Sequence, residues 1–356
     1  MNSLLLAPEL FADDGGIARI LRLYLKALCE LSGDGDQVRF VALNDRAAEV
    51  DDLGRYSDRR LVEWRACDRS KAAFIASSAR MGLRSGRIVC GHVGQLPVAW
   101  LVSRLRPGLP YYLVAHGIEV WRPFSPLERI ALRGARRILC VSDYTRARVL
   151  ENCPLDPARA LTLPNALDPS LSPASRPRAA GGPPVILSIS RLSIADGYKG
   201  IDHLIEAMPA VRASVPAAKL RIVGRGDGTA GLQELARKLG VADAVEFAGY
   251  LPDGDLAGEF ERCSLFALPS QKEGFGLVYL EAMANGRPCL GARSGGVPEV
   301  ITAESGVLAE YGDVPGIAAA AVGALRREWS VDAITRRAQT FSYLRFRERL
   351  ASVFSA

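Results

Sequence analysis

Long apolar runs are missing from this 356-residue chain. No stretch comes near the roughly 18–20 residues that a membrane-spanning helix requires, so none is expected. The opening segment, MNSLLLAPELFADDGG, has no basic start and reaches Glu9 and Asp13 too early for a secretory signal. Histidine is scarce: His92, His116 and His203 are the only three, and none stands at a metal-ligand spacing from a cysteine or carboxylate. No metal is expected. The seven cysteines form no CxxC pair, and Cys90, Cys140, Cys263 and Cys289 sit in or beside apolar stretches. Buried, reduced thiols in a cytoplasmic compartment are the expectation. The absence of a dense basic run or a basic–aromatic ladder argues against a nucleic-acid partner. Hydrophobic residues at 49% and charged residues at 24% exclude a disordered, collagen-like or disulfide-scaffold chain.

What is present is a repeating alternation of short apolar runs and amphipathic segments, the βα pattern of parallel sheets, in a chain long enough for two domains. Strands are expected at Ser3–Ala7, Val38–Leu43, Arg87–His92, Tyr111–His116 and Arg137–Ser142, with helices at Gly16–Leu31, Leu96–Leu105, Pro126–Gly134 and Asp143–Glu151. A stretch rich in proline, DPSLSPASRPRAAGGPP from Asp168 to Pro184, then reads as a linker. A second series follows, with strands at Pro184–Ser190, Lys219–Val223, Val245–Phe247, Leu265–Leu268 and Pro288–Ala292. Its helices are expected at Ile201–Ser214, Leu232–Leu239, Leu256–Arg262 and Leu277–Asn285, with only helices after Ala292. The reading is α/β: two doubly wound domains, 1–167 and 184–331, joined by linker 168–183, with a terminal helix over 332–356 returning to the first. In such sheets ligands sit beyond the carboxyl ends of the strands.

The densest chemical signal is Glu273-Gly274-Phe275-Gly276-Leu277, after a strand and opening a helix that carries Glu281. Helix-start amides attract an anion and glycines let a phosphate approach the backbone. At 1.5 Å per residue Glu281 lies about 8 Å along the helix. One carboxylate can then meet a sugar and the other a ribose, with phosphates between. The same residues also suit an ordinary amphipathic helix behind a glycine turn. Gly224-Arg225-Gly226-Asp227-Gly228 looks like a dinucleotide fingerprint with Glu246 as its ribose acid, but the glycine spacing is wrong. Asp34-Gly35-Asp36 and Asp253-Gly254-Asp255 look like metal-binding DxD but are ordinary turn chemistry.

EGFGLVYLEAMANGRP resembles the E-x7-E signature of the retaining, nucleotide-sugar-dependent glycosyltransferases of family four. Ile189–Leu192, Tyr198–Gly200, Leu220–Gly228, Phe247–Leu256 and Gly295–Glu299 agree with that family in order and spacing. The resemblance implies the GT-B fold, two Rossmann-like domains facing across a deep cleft that narrows about the linker. It implies that Arg191 and Lys199 neutralise the diphosphate leaving group, and that Glu273 and His116 face the transferred sugar. It places Gly15, Gly16, Gly224, Tyr250, Leu251, Gly274, Phe275, Gly276, Leu277 and Glu281 around the nucleotide sugar, Tyr250 and Leu251 beside the base. Glu119 and Trp121 are candidates to border the sugar or acceptor, His92 either lines the acceptor side or packs as core or rim, Asn165 and Asp168 are structural, and neither metal nor cofactor is needed.

The expected function is transfer of a hexose, from GDP-mannose or a UDP-hexose, to a glycan or lipid-linked acceptor hydroxyl in cell-surface polysaccharide synthesis. The alternatives are a nucleotide-sugar epimerase of the same architecture and a dinucleotide-binding oxidoreductase. The formal charge of +6 bears on the acceptor: residues 1–167 carry 24 Lys and Arg against 18 Asp and Glu, while 168–356 balance 21 against 21. Two clusters, Arg129/Arg133/Arg136/Arg137 and Arg80/Arg84/Arg87, suit peripheral attachment to an anionic inner membrane face; a solvated arginine-rich surface would look the same.

Overall fold

The computed structural model describes residues 2–12, 15–47, 50, 52–170 and 182–355, except the side chain of Asp253. The linker's centre, 171–181, and the Asp13-Asp14 pair lie outside the described residues. The chain forms two compact units, Met1–Asp168 with Tyr343–Ala356, and Pro169–Ser342.

Unit 1 is built on β1 (Ser3–Ala7), β2 (Val38–Ala42), β3 (Leu61–Ala66), β4 (Arg87–Cys90), β5 (Tyr111–Ala115), β6 (Arg137–Cys140) and β7 (Ala160–Thr162). The helices between them are α1 (Gly16–Glu30), α2 (Leu53–Tyr56), α3 (Lys71–Gly82), α4 (Leu96–Leu105), α5 (Pro126–Gly134) and α6 (Asp143–Asn152). All strand pairs are parallel, in the order β3-β2-β1-β4-β5-β6-β7. In register, Leu4 faces Arg39 of β2 and Ile88 of β4. Leu4, Leu5 and Leu6 are fully buried because helices cover both faces of the sheet, and each full burial contributes about 1.5–3 kcal/mol.

Helix α5 shows how local sequence sets an element. Ser125 accepts from the Glu128 amide (3.3 Å), Glu128 accepts from the Ser125 amide (2.8 Å), and Pro126 opens the helix. The Arg122 guanidinium donates two bonds to Glu128 (2.7 and 3.1 Å) and holds its carboxyl down to about 2. The folded value is depressed, so the stabilisation is complete above the ordinary carboxyl value of about 4.5 and lost as pH falls toward about 2. In urea titrations across that window, wild type is expected to lose more stability than Glu128→Gln; parallel pH profiles would contradict this.

Unit 2 contains β8 (Val185–Ile189), β9 (Lys219–Val223), β10 (Val245–Gly249), β11 (Leu265–Leu268), β12 (Cys289–Ala292) and β13 (Gly306–Ala309), all parallel, ordered β10-β9-β8-β11-β12-β13. Its helices are α7 (Ile201–Ser214), α8 (Thr229–Lys238), α9 (Asp253–Arg262), α10 (Leu277–Ala284), α11 (Val297–Val300), α12 (Val314–Arg326) and α13 (Val331–Gln339). The expected all-helical run after Ala292 is corrected by β13, a four-residue strand paired with β12.

The expected terminal helix is two helices, α13 and α14 (Tyr343–Ser355), and only α14 joins unit 1. The break has a physical cause. Phe341 packs edge-on against Phe275 (5.3 Å between centroids) and lies under the Arg337 guanidinium, which fixes the turn to unit 2. Helix α14 then docks in unit 1: Tyr343 and Arg347 each donate to Glu30 (2.9 Å), and Phe346 meets Tyr24 edge-on. All seven cysteines are buried, and burial pushes the Cys90 and Cys140 thiols up to about 12. Among the described residues no helix is long and apolar enough to cross a membrane.

Candidate active site

Strand order locates the switch point of each sheet, where successive connections leave in opposite directions: between β8 and β11 in unit 2, and between β1 and β4 in unit 1. In unit 2 the loop after β8 carries Arg191 and Lys199, and the loop after β11 carries Glu273. These loops meet. Lys199 Nζ lies 2.8 Å from Glu273 Oε2, with both side chains over four-fifths buried, at 19% and 17% exposure. Two residues 74 apart in sequence thus form one charged pair.

The segment Ile194–Lys199 forms a 3-10 turn ending at Gly200, whose φ is +72°. A side chain at Gly200 would strike the Pro269 carbonyl oxygen at 2.5 Å. Glycine is therefore what brings Lys199 against the β11 loop. Arg191 is two-thirds exposed and paired with Asp196 (3.2 Å), whose carboxylate also accepts from the Tyr198 hydroxyl (2.8 Å). Burial together with that bond pushes the Tyr198 phenol up to about 12. Sequence reasoning missed Asp196, although its place between Arg191 and Lys199 was a signal that those cations need a local counter-charge.

Gly276, at φ +91°, caps α10, and Glu281 is buried inside that helix. Gly274 and Leu277 are half-buried at the helix start, whereas the Phe275 ring turns inward against Phe341 and leaves only backbone toward the loop. Gly224 has φ +143°, and a Cβ there would lie 1.8 Å from the Ser190 carbonyl oxygen. Gly226 and Gly228 are pressed against the Leu192–Ser193 backbone, so close loop packing explains this glycine run. Glu246 sits in an ion pair with Arg221, which Glu259 shares. That corrects the dinucleotide fingerprint: its acid is taken by a cross-strand arginine. Tyr250, 48% exposed, lies under the Arg225 guanidinium, and Leu251 beside it is half-buried.

In unit 1, Gly15 caps α1 and Gly16 opens it, exposed. The preceding loop is held by a residue that sequence reasoning missed. Asp45, fully buried beyond β2, accepts from three successive amides, Leu10 (3.0 Å), Phe11 (3.3 Å) and Ala12 (3.1 Å). The signal available was an Asp directly after an apolar strand.

His116 directly follows β5 and is 8% exposed. Its Nε2–H donates to the Gly91 carbonyl (2.8 Å), which assigns the tautomer and leaves Nδ1 as a lone-pair acceptor. Among the described residues Nδ1 has no partner. Burial holds the ring below the ordinary histidine range, hence neutral. The Glu119 carboxylate accepts from the His116 amide (2.6 Å), Trp121 donates to Thr145, and His92 Nδ1 caps the Gly94 amide. Asn165 is buried, and Asp168 accepts from Tyr56 (2.6 Å).

The two arginine clusters differ. Arg80 and Arg84 both pair with Glu63, and Arg87 is buried over the Phe354 ring, so the second cluster is occupied within the fold. On α5, Arg129, Arg133 and the adjoining Arg136 are exposed beside Leu127 (47%) and Ile130 (49%). Of the DxD-like turns, Asp36 caps the Gly33 amide, and the Asp253 side chain lies outside the described residues. Among the described residues no group of three or more His, Cys, Asp or Glu is arranged to hold a metal.

The chain is similar throughout to known sequences. A GDP-mannose-dependent alpha-(1-6)-phosphatidylinositol monomannoside mannosyltransferase from Mycobacterium tuberculosis is 30% identical over 80% of this chain and 82% of its own length. Residues 14–171 match the Glycosyltransferase Family 4 model, and residues 174–340 match that of Glycosyl transferases group 1. The chain is a family 4 glycosyltransferase. The protein of the same description from Mycolicibacterium smegmatis is 36% identical over 61% of this chain and 64% of its own length. Among solved structures, that of HepE from Anabaena in complex with UDP and glucose superposes with a TM-score of 0.79 at 19% identity, covering 99% of both chains. The fold is GT-B, and this family 4 enzyme is a hexosyltransferase. Epimerisation and dinucleotide-dependent redox chemistry find no support in these similarities.

Proposed function

We propose that this family 4 enzyme transfers mannose from GDP-mannose to an anionic, lipid-linked glycan acceptor at the inner membrane face, with retained anomeric configuration and without a metal. The observation that carries the reading is the Lys199–Glu273 pair at the β8/β11 switch point, with Arg191 on the same loop. The bond from the sugar anomeric carbon to the β-phosphate oxygen breaks, and the bond from the acceptor oxygen forms on the same face. The acceptor proton passes to the departing phosphate oxygen. Arg191 and Lys199 stabilise the negative charge that grows there, preorganised and without proton bookkeeping. Glu273 accepts from sugar hydroxyls, Glu281 from the ribose, and the Gly274–Leu277 amides face the phosphates.

The roles in unit 1 follow the same reading. Neutral His116 offers Nδ1 to a hydroxyl of the transferred sugar, and Gly15 and Gly16 offer backbone amides to a donor phosphate. Leu127 and Ile130 between exposed arginines suit an anionic lipid surface, at about 1 kcal/mol per nearby basic residue. The relatives' name supplies the donor and the first acceptor to test, phosphatidylinositol monomannoside.

The experiment offers vesicles containing that acceptor with labelled GDP-mannose or UDP-glucose, at low and high salt. Mannosylation from GDP-mannose, with an α-anomeric product by proton NMR and salt-sensitive co-sedimentation, is expected. A β-anomeric product rejects retention, and equal sedimentation with neutral and anionic vesicles rejects the membrane surface.

A further inference from the structure

Resting on that reading, the geometry points to Arg225, stacked on Tyr250, as the residue that selects guanine over other bases in the donor nucleotide. Arg225 follows β9 and Tyr250 follows β10, at the carboxyl ends of the first and second strands out from β8 on one side of the sheet. Backbone bonds tie this corner to the proposed phosphate loop: the Leu192 amide donates to the Arg225 carbonyl (3.0 Å), and the Gly224 amide to the Gly249 carbonyl (2.8 Å). From β8 to β10 is two strand spacings, about 10 Å. That is the reach of an extended nucleoside from phosphate to base.

The Arg225 guanidinium carbon lies 4.7 Å from the Tyr250 ring centroid. Among the described residues no hydrogen bond or ion pair engages its N–H groups, whereas its neighbours are taken: Arg191 by Asp196, and Arg221 by Glu246 and Glu259. Stacking on Tyr250 restrains the plane of the fork while leaving its edge to donate. Guanine presents two adjacent acceptors, O6 and N7, which a guanidinium meets with two parallel bonds. Adenine offers an amino donor where O6 would be. Uracil offers isolated carbonyls beside an N–H, so one donor of the fork always meets a donor. The structure thus favours a GDP-sugar for a fold that is also known with UDP bound.

The test measures affinities of the full chain for GDP, UDP and ADP by calorimetry, in wild type, Arg225→Lys and Arg225→Ala. Wild type should bind GDP about 10- to 100-fold more tightly than UDP or ADP, the discrimination expected of one bidentate pair. Lysine keeps the charge but loses the fork, so Arg225→Lys should abolish that ratio while UDP affinity stays within about threefold. Because Arg225 is exposed, the melting temperatures should match. A ratio unchanged in both variants overturns the role of Arg225 and leaves the glycosyl-transfer reading standing. A wild-type preference for UDP overturns both the role and the GDP-mannose donor. No binding of any nucleoside diphosphate overturns the proposed function itself.

Discussion

Lys199→Met is expected to lower kcat/KM for sugar transfer by about 10²–10³-fold, the usual cost of removing one preorganised group that stabilises a developing oxyanion. The ammonium is about four-fifths buried and held 2.8 Å from Glu273, so it is positioned before a donor arrives. Methionine fills similar space without charge, and Glu273 then faces the phosphates unpaired, adding repulsion to the lost attraction. Arg191→Met should cost less, because Arg191 is two-thirds exposed and solvent screens it. Initial rates with a fixed acceptor decide the matter. A Lys199→Met enzyme within about threefold of wild type would remove Lys199 from the reaction.

Gly224→Ala should be the most damaging single methyl in unit 2. The backbone there has φ +143°, a region that side chains rarely adopt, and the added Cβ would lie 1.8 Å from the Ser190 carbonyl oxygen. Neither partner can yield cheaply, because Ser190 N–H also bonds Val223 and fixes the β8 end. A cost of about 3 kcal/mol or more is expected, lowering the melting temperature of a unit this size by about 6–12 °C. Gly231→Ala is the contrast. That glycine is exposed within α8 with open space at its Cβ, so alanine should stabilise by about 0.5–1 kcal/mol. Equal melting of Gly224→Ala and wild type would show that the loop can relocate.

The elements legible in the sequence were those buried on both faces. SLLLA and YYLVA are continuous apolar runs because helices cover both sides of them, and their strands match the expected positions to within a residue. The elements that escaped are marginal. Strand β3, LVEWRA, lies at the sheet edge and carries Glu63 and Arg65, so it breaks the apolar run. Strands β7 and β13 have only three and four residues, and α3, KAAFIASSARMG, is dominated by alanine and serine. At the site, the Glu273-to-Glu281 motif was legible because one segment carries it. Asp45 was not, because its partners are the amides of Leu10 to Ala12, more than thirty residues away. Arg225 was visible only inside a misleading glycine pattern, and it took the strand order to set it beside Tyr250.

The return of α14 to unit 1 fixes the timing of assembly during synthesis. Unit 1 is discontinuous, and the whole of Pro169–Ser342 is made between its two parts. At about 5–20 residues per second, that interval lasts roughly ten to thirty seconds. Throughout it, Tyr24, Glu30, Tyr112 and Arg87 lack the α14 partners that later cover or bond them. The nascent first unit therefore carries a sticky apolar strip while the second, contiguous unit can complete itself. Sealing that strip is among the last events of folding, and a ribosome stalled within unit 2 releases a chain with it exposed.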